Sequence, residues 1–193
     1  MTSVLANWGV LGLTLMYLLE GMAAPLPIEI PLWMTGQMLV ARTHSYGELV
    51  FVTWLGSCAG NIVAFGLARI GGRPLLMKVS RLFRAEEQVK RAQRWMDRYG
   101  LWFVAVSRWI NWGFGISLWL SGFSGIKPEK ALGLMMVNNL LWSFWWVEFG
   151  RLLVGVLRFA GLPDWLILLP GVVGLVVIGI WRAIRRYRTR AVE

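Results

Sequence analysis

The stretch Leu49–Ala68, LVFVTWLGSCAGNIVAFGLA, runs for twenty residues without a charge. A helix of about 20 apolar residues covers a hydrocarbon core of roughly 30 Å, so this run predicts a membrane span. Val4–Leu19, Ala131–Val147 and Trp165–Trp181 are apolar runs close to the same length, which brings the expected number of spans to about four. The N-terminal run lacks a basic leader, and Glu20 lies just ahead of the small pair Ala23-Ala24; it is expected to be retained rather than cleaved as a signal peptide. Composition agrees with this class. The 193 residues are 57% hydrophobic and 16% charged, with a mean hydropathy of +0.58 and a net charge of +10, against about 25% charged residues in soluble domains. A single cysteine and a single histidine, Cys58 and His44, exclude an internal disulfide and any multi-cysteine or multi-histidine metal centre. No cofactor is expected.

Two further apolar stretches are too broken to be straight spans. In residues 24–41 the segment Pro25-Leu26-Pro27-Ile28-Glu29-Ile30-Pro31 places three prolines close together, and each removes a backbone donor. Residues 101–125 carry Arg108, Asn111, Gly113 and Gly115 in their first half. Irregular backbone at membrane depth persists only where it is buried in protein or lines a wet cavity, so both stretches are expected to be re-entrant hairpins.

The basic residues orient the chain. Residues 73–98 hold eight Lys and Arg against three acids, and the tail 182–193 is strongly cationic; cytoplasmic loops carry such an excess. The expected organisation is one integral membrane domain, 1–193. It comprises a first half, 1–72, a cytoplasmic amphipathic linker, 73–98, a second half, 99–181, and a basic tail, with both termini cytoplasmic. The linker and tail are expected to meet anionic lipid of the inner leaflet, and no nucleic-acid partner is expected.

The halves share a pattern. Leu32-Trp33-Met34-Thr35-Gly36 matches Leu118-Trp119-Leu120-Ser121-Gly122, and Phe65-Gly66 matches Phe149-Gly150. With one hairpin entering from each side, the fold class is an all-α polytopic membrane protein built as an inverted repeat of hairpin plus span, an arrangement used by transporters.

Ionisable groups inside such segments are functional candidates. Glu29 near the first hairpin tip and Arg108 near the second are expected to converge. Arginine presents a planar fork of donors that suits phosphate. Burial favours the neutral form of a carboxylic acid and a neighbouring guanidinium the charged form, which makes Glu29 the candidate proton carrier. The alternative is a fixed Glu29–Arg108 ion pair that only joins the hairpins. Glu20 stands between facing the same cavity and lying at the outer interface. Glu148 and Arg151, three apart, are expected to pair locally; Asn61, Asn138 and Asn139 to bond between helices; and Gly56 and Gly60 to permit close helix packing. Trp109, Trp112 and Trp119 could meet an acyl or isoprenoid chain, with packing as the default.

The series Glu20-Gly21, Pro25-x-Pro27-x-Glu29, Gly60-Asn61, Phe65-Gly66-x-x-Arg69-x-Gly71-Gly72, Tyr99-Gly100 and Ser107-Arg108-Trp109-Ile110 resembles the DedA family of bacterial membrane proteins, also called the VTT or SNARE-associated domain, over about residues 15–155. The resemblance implies two opposed re-entrant hairpins and movement of phosphate-bearing lipids between leaflets, with undecaprenyl phosphate and phosphatidylethanolamine as family substrates and a link to the proton-motive force. By position it assigns Glu29 and Arg108 to the hairpin glutamate and first hairpin arginine. Two departures stand out. Asn61 occupies the place of an aspartate, and Arg108-Trp109-Ile110-Asn111-Trp112-Gly113-Phe114 lacks the proline and second arginine of Arg-Phe-x-Pro-x-x-Arg. Fewer charges weigh against a strongly anionic phosphomonoester and toward a zwitterionic head group, and they put proton coupling in question.

The expected function is thus a flippase-like or scramblase-like transporter in the bacterial inner membrane, not an enzyme. Glu29, Arg108, Glu20, Asn61 and Asn111 would contact a phospholipid or polyprenyl phosphate, and a homodimer is the assembly considered. The alternatives are a proton-coupled transporter of a small ion or drug and, more weakly, an enzyme acting on lipid phosphates, for which no nucleophile or metal-site constellation is present.

Overall fold

The uncharged run Leu49–Ala68 lies inside one long helix of the computed structural model, which describes residues 2–22, 24, 27–82, 86–110, 114–163, 166 and 169. Asn111, most of the predicted span Trp165–Trp181 and the basic tail lie outside the described residues. In chain order the helices are α1 (Thr2–Gly21), α2 (Glu29–Val40), α3 (Tyr46–Leu82), α4 (Glu86–Tyr99), α5 (Leu101–Trp109), α6 (Phe114–Phe123) and α7 (Pro128–Phe159). No strand occurs among the described residues.

Among the described residues, two helices are long and apolar enough to cross a membrane: Tyr46–Pro74 in α3, 29 residues, and Pro128–Phe159, 32 residues. They lie antiparallel. The Tyr46 hydroxyl donates to the Phe144 carbonyl at 2.9 Å, and the Trp54 indole N–H to the Met136 carbonyl at 3.0 Å. Where the sequence predicts hairpins, the helices are short. α2 has 12 residues, α5 has 9 and α6 has 10, each well below the roughly 20 that span a bilayer. Ser107 and Ser117 join α5 to α6 through their hydroxyls, 2.9 Å apart.

Small residues set the helix crossings. A side chain added at Gly60 would place its Cβ 2.1 Å from the Leu18 carbonyl oxygen, and one at Gly21 would lie 2.5 Å from that of Ser57; α1 and α3 therefore touch backbone to backbone, as the Gly56/Gly60 spacing predicts. The shared motifs meet crosswise. Gly36 of α2 packs on Gly150 of α7, whose carbonyl would lie 2.4 Å from a Cβ at Gly36, and Gly122 of α6 packs on Phe65 and Ala68 of α3.

The distribution of polarity is inverted relative to a water-soluble bundle. Leu11, Leu15, Phe51, Ile62, Val137, Leu141, Trp145 and Val156 are exposed, whereas Thr35, Thr53, Ser57, Asn61, Ser107, Arg108, Ser117 and Asn139 are buried. Apolar residues outside cost nothing when the solvent is hydrocarbon, and the polar ones must then find partners within the protein. One apolar core gathers Leu13, Tyr17, Leu49, Val50, Trp142 and Val147; another gathers Phe65, Leu76, Met96, Phe103, Leu118 and Met135. Along α3, Thr53, Ser57 and Asn61 sit between the residues of these two cores, as Asn138 and Asn139 do along α7.

Residues 75–99 read as one amphipathic helix lying on the inner leaflet; the structure places 75–82 in α3 and 86–99 in α4, and 83–85 lie outside the described residues. The apolar residues of α4, Val89, Ala92 and Met96, are buried against Phe103, Leu118 and Leu120. That face is covered by α5 and α6, while Arg91, Arg94 and Arg98 remain exposed. Trp95, which the pattern groups with the apolar face, is 45% exposed and packs on the Tyr99 ring at 5.5 Å.

The turn in direction within α3 is made at Gly72, with φ 56° and ψ −159° and with Pro74 just beyond it. This backbone region is essentially closed to residues with a Cβ, at a cost on the order of 1–3 kcal/mol. Gly72→Ala should therefore lower the thermal unfolding midpoint in detergent. Gly66→Ala, in the same helix with open space at the Cβ, should not.

Candidate functional site

Arg108 closes the last turn of α5, and its side chain is 1% exposed. A guanidinium stays charged when desolvated, so its surroundings must balance it. Glu20, in the last turn of α1, does so: Arg108 Nη1 donates to Oε1 at 3.3 Å and Nη2 to Oε2 at 3.4 Å, a two-pronged pair. Nη2 also donates to the Ser57 hydroxyl of α3 at 3.3 Å. The guanidinium carbon lies 4.0 Å from the Trp142 ring centre and 4.7 Å from that of Phe114, positions in which a cation is attracted to the π face. One of its three nitrogens has no partner. Arg108 Nε is buried and has no hydrogen-bond partner.

The pair borders a cavity of about 90 Å³ lined by Glu20, Ile28, Arg108, Trp109, Phe114, Trp142, Trp145 and Trp146. Local packing fixes its walls. The Trp109 indole donates to Asn138 Oδ1 at 2.8 Å and Asn138 Nδ2 donates to the Ala105 carbonyl at 3.2 Å, which ties α5 to α7. Trp142 stacks on Trp146, with centroids 4.8 Å apart.

Each sequence candidate can now be located. Arg108 is in the cavity, and the carboxylate it meets is Glu20 rather than Glu29. Glu29 begins α2 and is half-buried, and the cavity is lined by its neighbour Ile28 instead. A carboxylate in a first helical turn is favoured by the helix dipole. Asn61 sits one shell behind the cavity. With its amide turned to donate, Nδ2 reaches the Gly21 carbonyl at 2.8 Å and Oδ1 accepts from Asn139 Nδ2 at 2.8 Å. It thus holds the end of α1 next to Glu20, and Asn61, Asn138 and Asn139 all bond between helices as expected. Asn111 lies outside the described residues. Glu148 and Arg151 form their local pair, with Arg151 Nε donating to Glu148 Oε2 at 3.0 Å.

What the sequence reading missed is the aromatic lining contributed by α7, Trp142, Trp145 and Trp146. These residues are adjacent in a tryptophan-rich helix, so periodicity could not separate lining from lipid-facing positions. The signal for Glu20 was present. Gly21 beside it, packed against Ser57 and Gly60, is what lets α1 bring this carboxylate to the level of Ser57.

The family model described as the VTT domain matches residues 26–152. The membrane protein YbfM of Bacillus subtilis (strain 168) is 20% identical over 156 residues, covering 80% of this chain and 96% of that protein. Undecaprenyl phosphate transporter A of Staphylococcus aureus (strain NCTC 8325 / PS 47) is 23% identical over 163 residues, covering 79% and 77%. No solved structure matches the chain.

Proposed function

The chain belongs to the VTT-domain, or DedA, family of membrane proteins, and on that premise we propose that it is a transporter that moves a phosphate-bearing lipid between the two leaflets of the bacterial cell membrane. The observation that carries this reading is Arg108, a buried arginine with an unsatisfied Nε–H at the edge of a cavity. A guanidinium so placed is suited to the phosphate of a head group. Membership of a family that includes a named undecaprenyl phosphate transporter points to the same class of cargo. Glu20 holds the Arg108 fork in the absence of cargo and yields it when phosphate enters.

The reading includes the inverted repeat of hairpin and span, with both termini cytoplasmic. Its support is the crosswise contact of the shared motifs, Gly36 on Gly150 and Gly122 on Phe65, which two halves related by a pseudo-two-fold axis would produce. The short helices α2, α5 and α6 fit re-entrant arms that stop at mid-depth, and the exposed Arg91, Arg94 and Arg98 fit an inner-leaflet surface.

Purified protein in vesicles carrying a leaflet-specific fluorescent phospholipid tests the proposal. The expected result is transbilayer movement clearly faster than in protein-free vesicles. Unchanged lipid movement with proton-dependent solute uptake would replace this reading by small-ion or drug transport, and chemical conversion of the lipid would replace it by enzymatic action. Glu29 is the carboxylate proposed to exchange protons. Glu29→Gln should flatten the pH profile of the rate, and full transport by this variant with an unaltered pH profile would remove the proton role from that residue.

A further inference from the structure

We propose that lipid reaches the Glu20–Arg108 cavity sideways through the seam between α5 and α7, with its hydrocarbon chain lying in that seam and the Trp109–Asn138 hydrogen bond as the latch. The proposal rests on the lipid-transport reading and adds a chain site and an entry route to it. Among the described residues lining the cavity, Arg108, Phe114 and Trp142 are buried, whereas Trp109 of α5 and Trp145 of α7 are 47% and 61% exposed. A side chain that both lines a cavity and meets the surroundings marks its mouth, which places the mouth between these two helices. The surface beside it is apolar. Val106 on α5 and Val137 and Leu141 on α7 are all exposed, so the mouth opens to hydrocarbon.

Phe114 also lines a second space, a slit between α5 and α7 walled by Leu101, Val104, Leu134 and Met135 and too narrow to admit water. Inside a bilayer, apolar helix contacts lack a hydrophobic driving force, because lipid chains are as apolar as the side chains they replace. Exchanging side-chain contacts in this slit for contacts with a chain therefore changes solvation little. What ties the seam specifically is Asn138, which accepts from the Trp109 indole at 2.8 Å and donates to the Ala105 carbonyl at 3.2 Å; such bonds between membrane helices are modest and break reversibly. The cavity itself, about 90 Å³ or the volume of roughly three waters, has room for a phosphate but not for a chain. A head group that comes to Arg108 by this route brings its chain behind it, and the chain fills the slit as the Trp109 indole leaves Asn138.

The test uses the full chain in phosphatidylcholine vesicles containing a phosphatidylethanolamine with a diazirine midway along one chain. After illumination, the labelled residues are located by mass spectrometry. In the wild type, Val104 and Met135 should be labelled at least threefold more than Leu13 and Val50, which are equally buried. Trp109→Phe, which keeps a ring and removes the donor, should raise that labelling at least twofold. In a Cys58→Ser background, Ala105→Cys/Asn138→Cys joined by a short reducible thiol cross-linker should lose the labelling and move fluorescent phospholipid at least tenfold more slowly, and reduction should restore both. Where the cysteine variant does not fold, labelling of the wild type and of Trp109→Phe decides. The proposal is overturned if Val104 and Met135 are labelled no more than Leu13 and Val50, if Trp109→Phe leaves the labelling unchanged, or if the cross-linked protein moves lipid at its unlinked rate. Ordinary lipid movement without labelling of the seam removes this route and leaves lipid transport standing. Labelling that Trp109→Phe raises and cross-linking abolishes, in a protein that moves no lipid, sinks the transport reading and leaves the chain site standing.

Discussion

Arg108→Ala is expected to slow protein-mediated lipid movement about 100-fold or more, to the background of protein-free vesicles. Hydrogen bonds to a charged group are worth about 1.5–3 kcal/mol each, and losing two from the transported state removes at least about 3 kcal/mol, which is roughly two orders of magnitude in rate. The substitution has a second consequence. Glu20, with its side chain 16% exposed, is left without its cation, and removing one member of a buried pair destabilises by up to about 3–5 kcal/mol; the partial exposure of Glu20 places this case at the low end. The two effects separate in the double variant Glu20→Gln/Arg108→Ala, which should regain much of the thermal stability and none of the transport. Arg108→Lys should fold, because it keeps the charge, and transport poorly, because an ammonium cannot reproduce the planar fork or its stacking on Trp142 and Phe114. Wild-type lipid movement by Arg108→Ala would remove Arg108 from the mechanism.

The partner of Arg108 illustrates what could be read in advance. That this arginine is buried is expected from its position in an apolar stretch, and the structure buries it. Which carboxylate it meets does not follow, because the choice between Glu20 and Glu29 depends on how far α1 descends along α3. That depth is fixed by the backbone contact of Gly21 with Ser57 and of Gly60 with Leu18, a three-dimensional fit in which sequence distance plays no part. The apolar runs 49–68 and 131–147 were legible because composition alone determines whether a segment can sit in hydrocarbon. The covering of α4 was not, since a face of Val89, Ala92 and Met96 has the same pattern whether it meets lipid or Phe103 and Leu118.

The crosswise contact has a similar status. The matched Leu-Trp-x-[Thr/Ser]-Gly and Phe-Gly motifs suggested two equivalent halves, but similarity along a chain is silent about which half packs on which. In the structure each motif glycine meets the Phe-Gly region of the other half. The glycines are needed because the approach is to backbone carbonyls, which cannot move aside without breaking helix hydrogen bonds.

The same reasoning makes Gly60 the position where the smallest added group should do the most damage to the scaffold. A Cβ there would lie 2.1 Å from the Leu18 carbonyl oxygen and 2.8 Å from the Cα and carbonyl carbon of Gly21, well inside van der Waals contact, and all three atoms are backbone. Nothing can rotate away; α1 must move off α3. Overpacking of a side-chain core costs about 1–3 kcal/mol, and a clash with backbone at a helix crossing belongs at or beyond the top of that range. Gly60→Val is therefore expected to lower the thermal unfolding midpoint in detergent more than any other single glycine substitution in α3, Gly72→Ala included. The loss should reach function as well. Gly21 shares the contact and adjoins Glu20, so separation of α1 from α3 withdraws the carboxylate from Arg108, and lipid movement should fall at least tenfold even in the fraction that remains folded. Gly66→Ala, with no atom near its Cβ, serves as the control in the same helix. If Gly60→Val matches the wild type in both unfolding and transport, α1 and α3 do not cross in backbone contact, and the placement of Glu20 beside Arg108 falls with it.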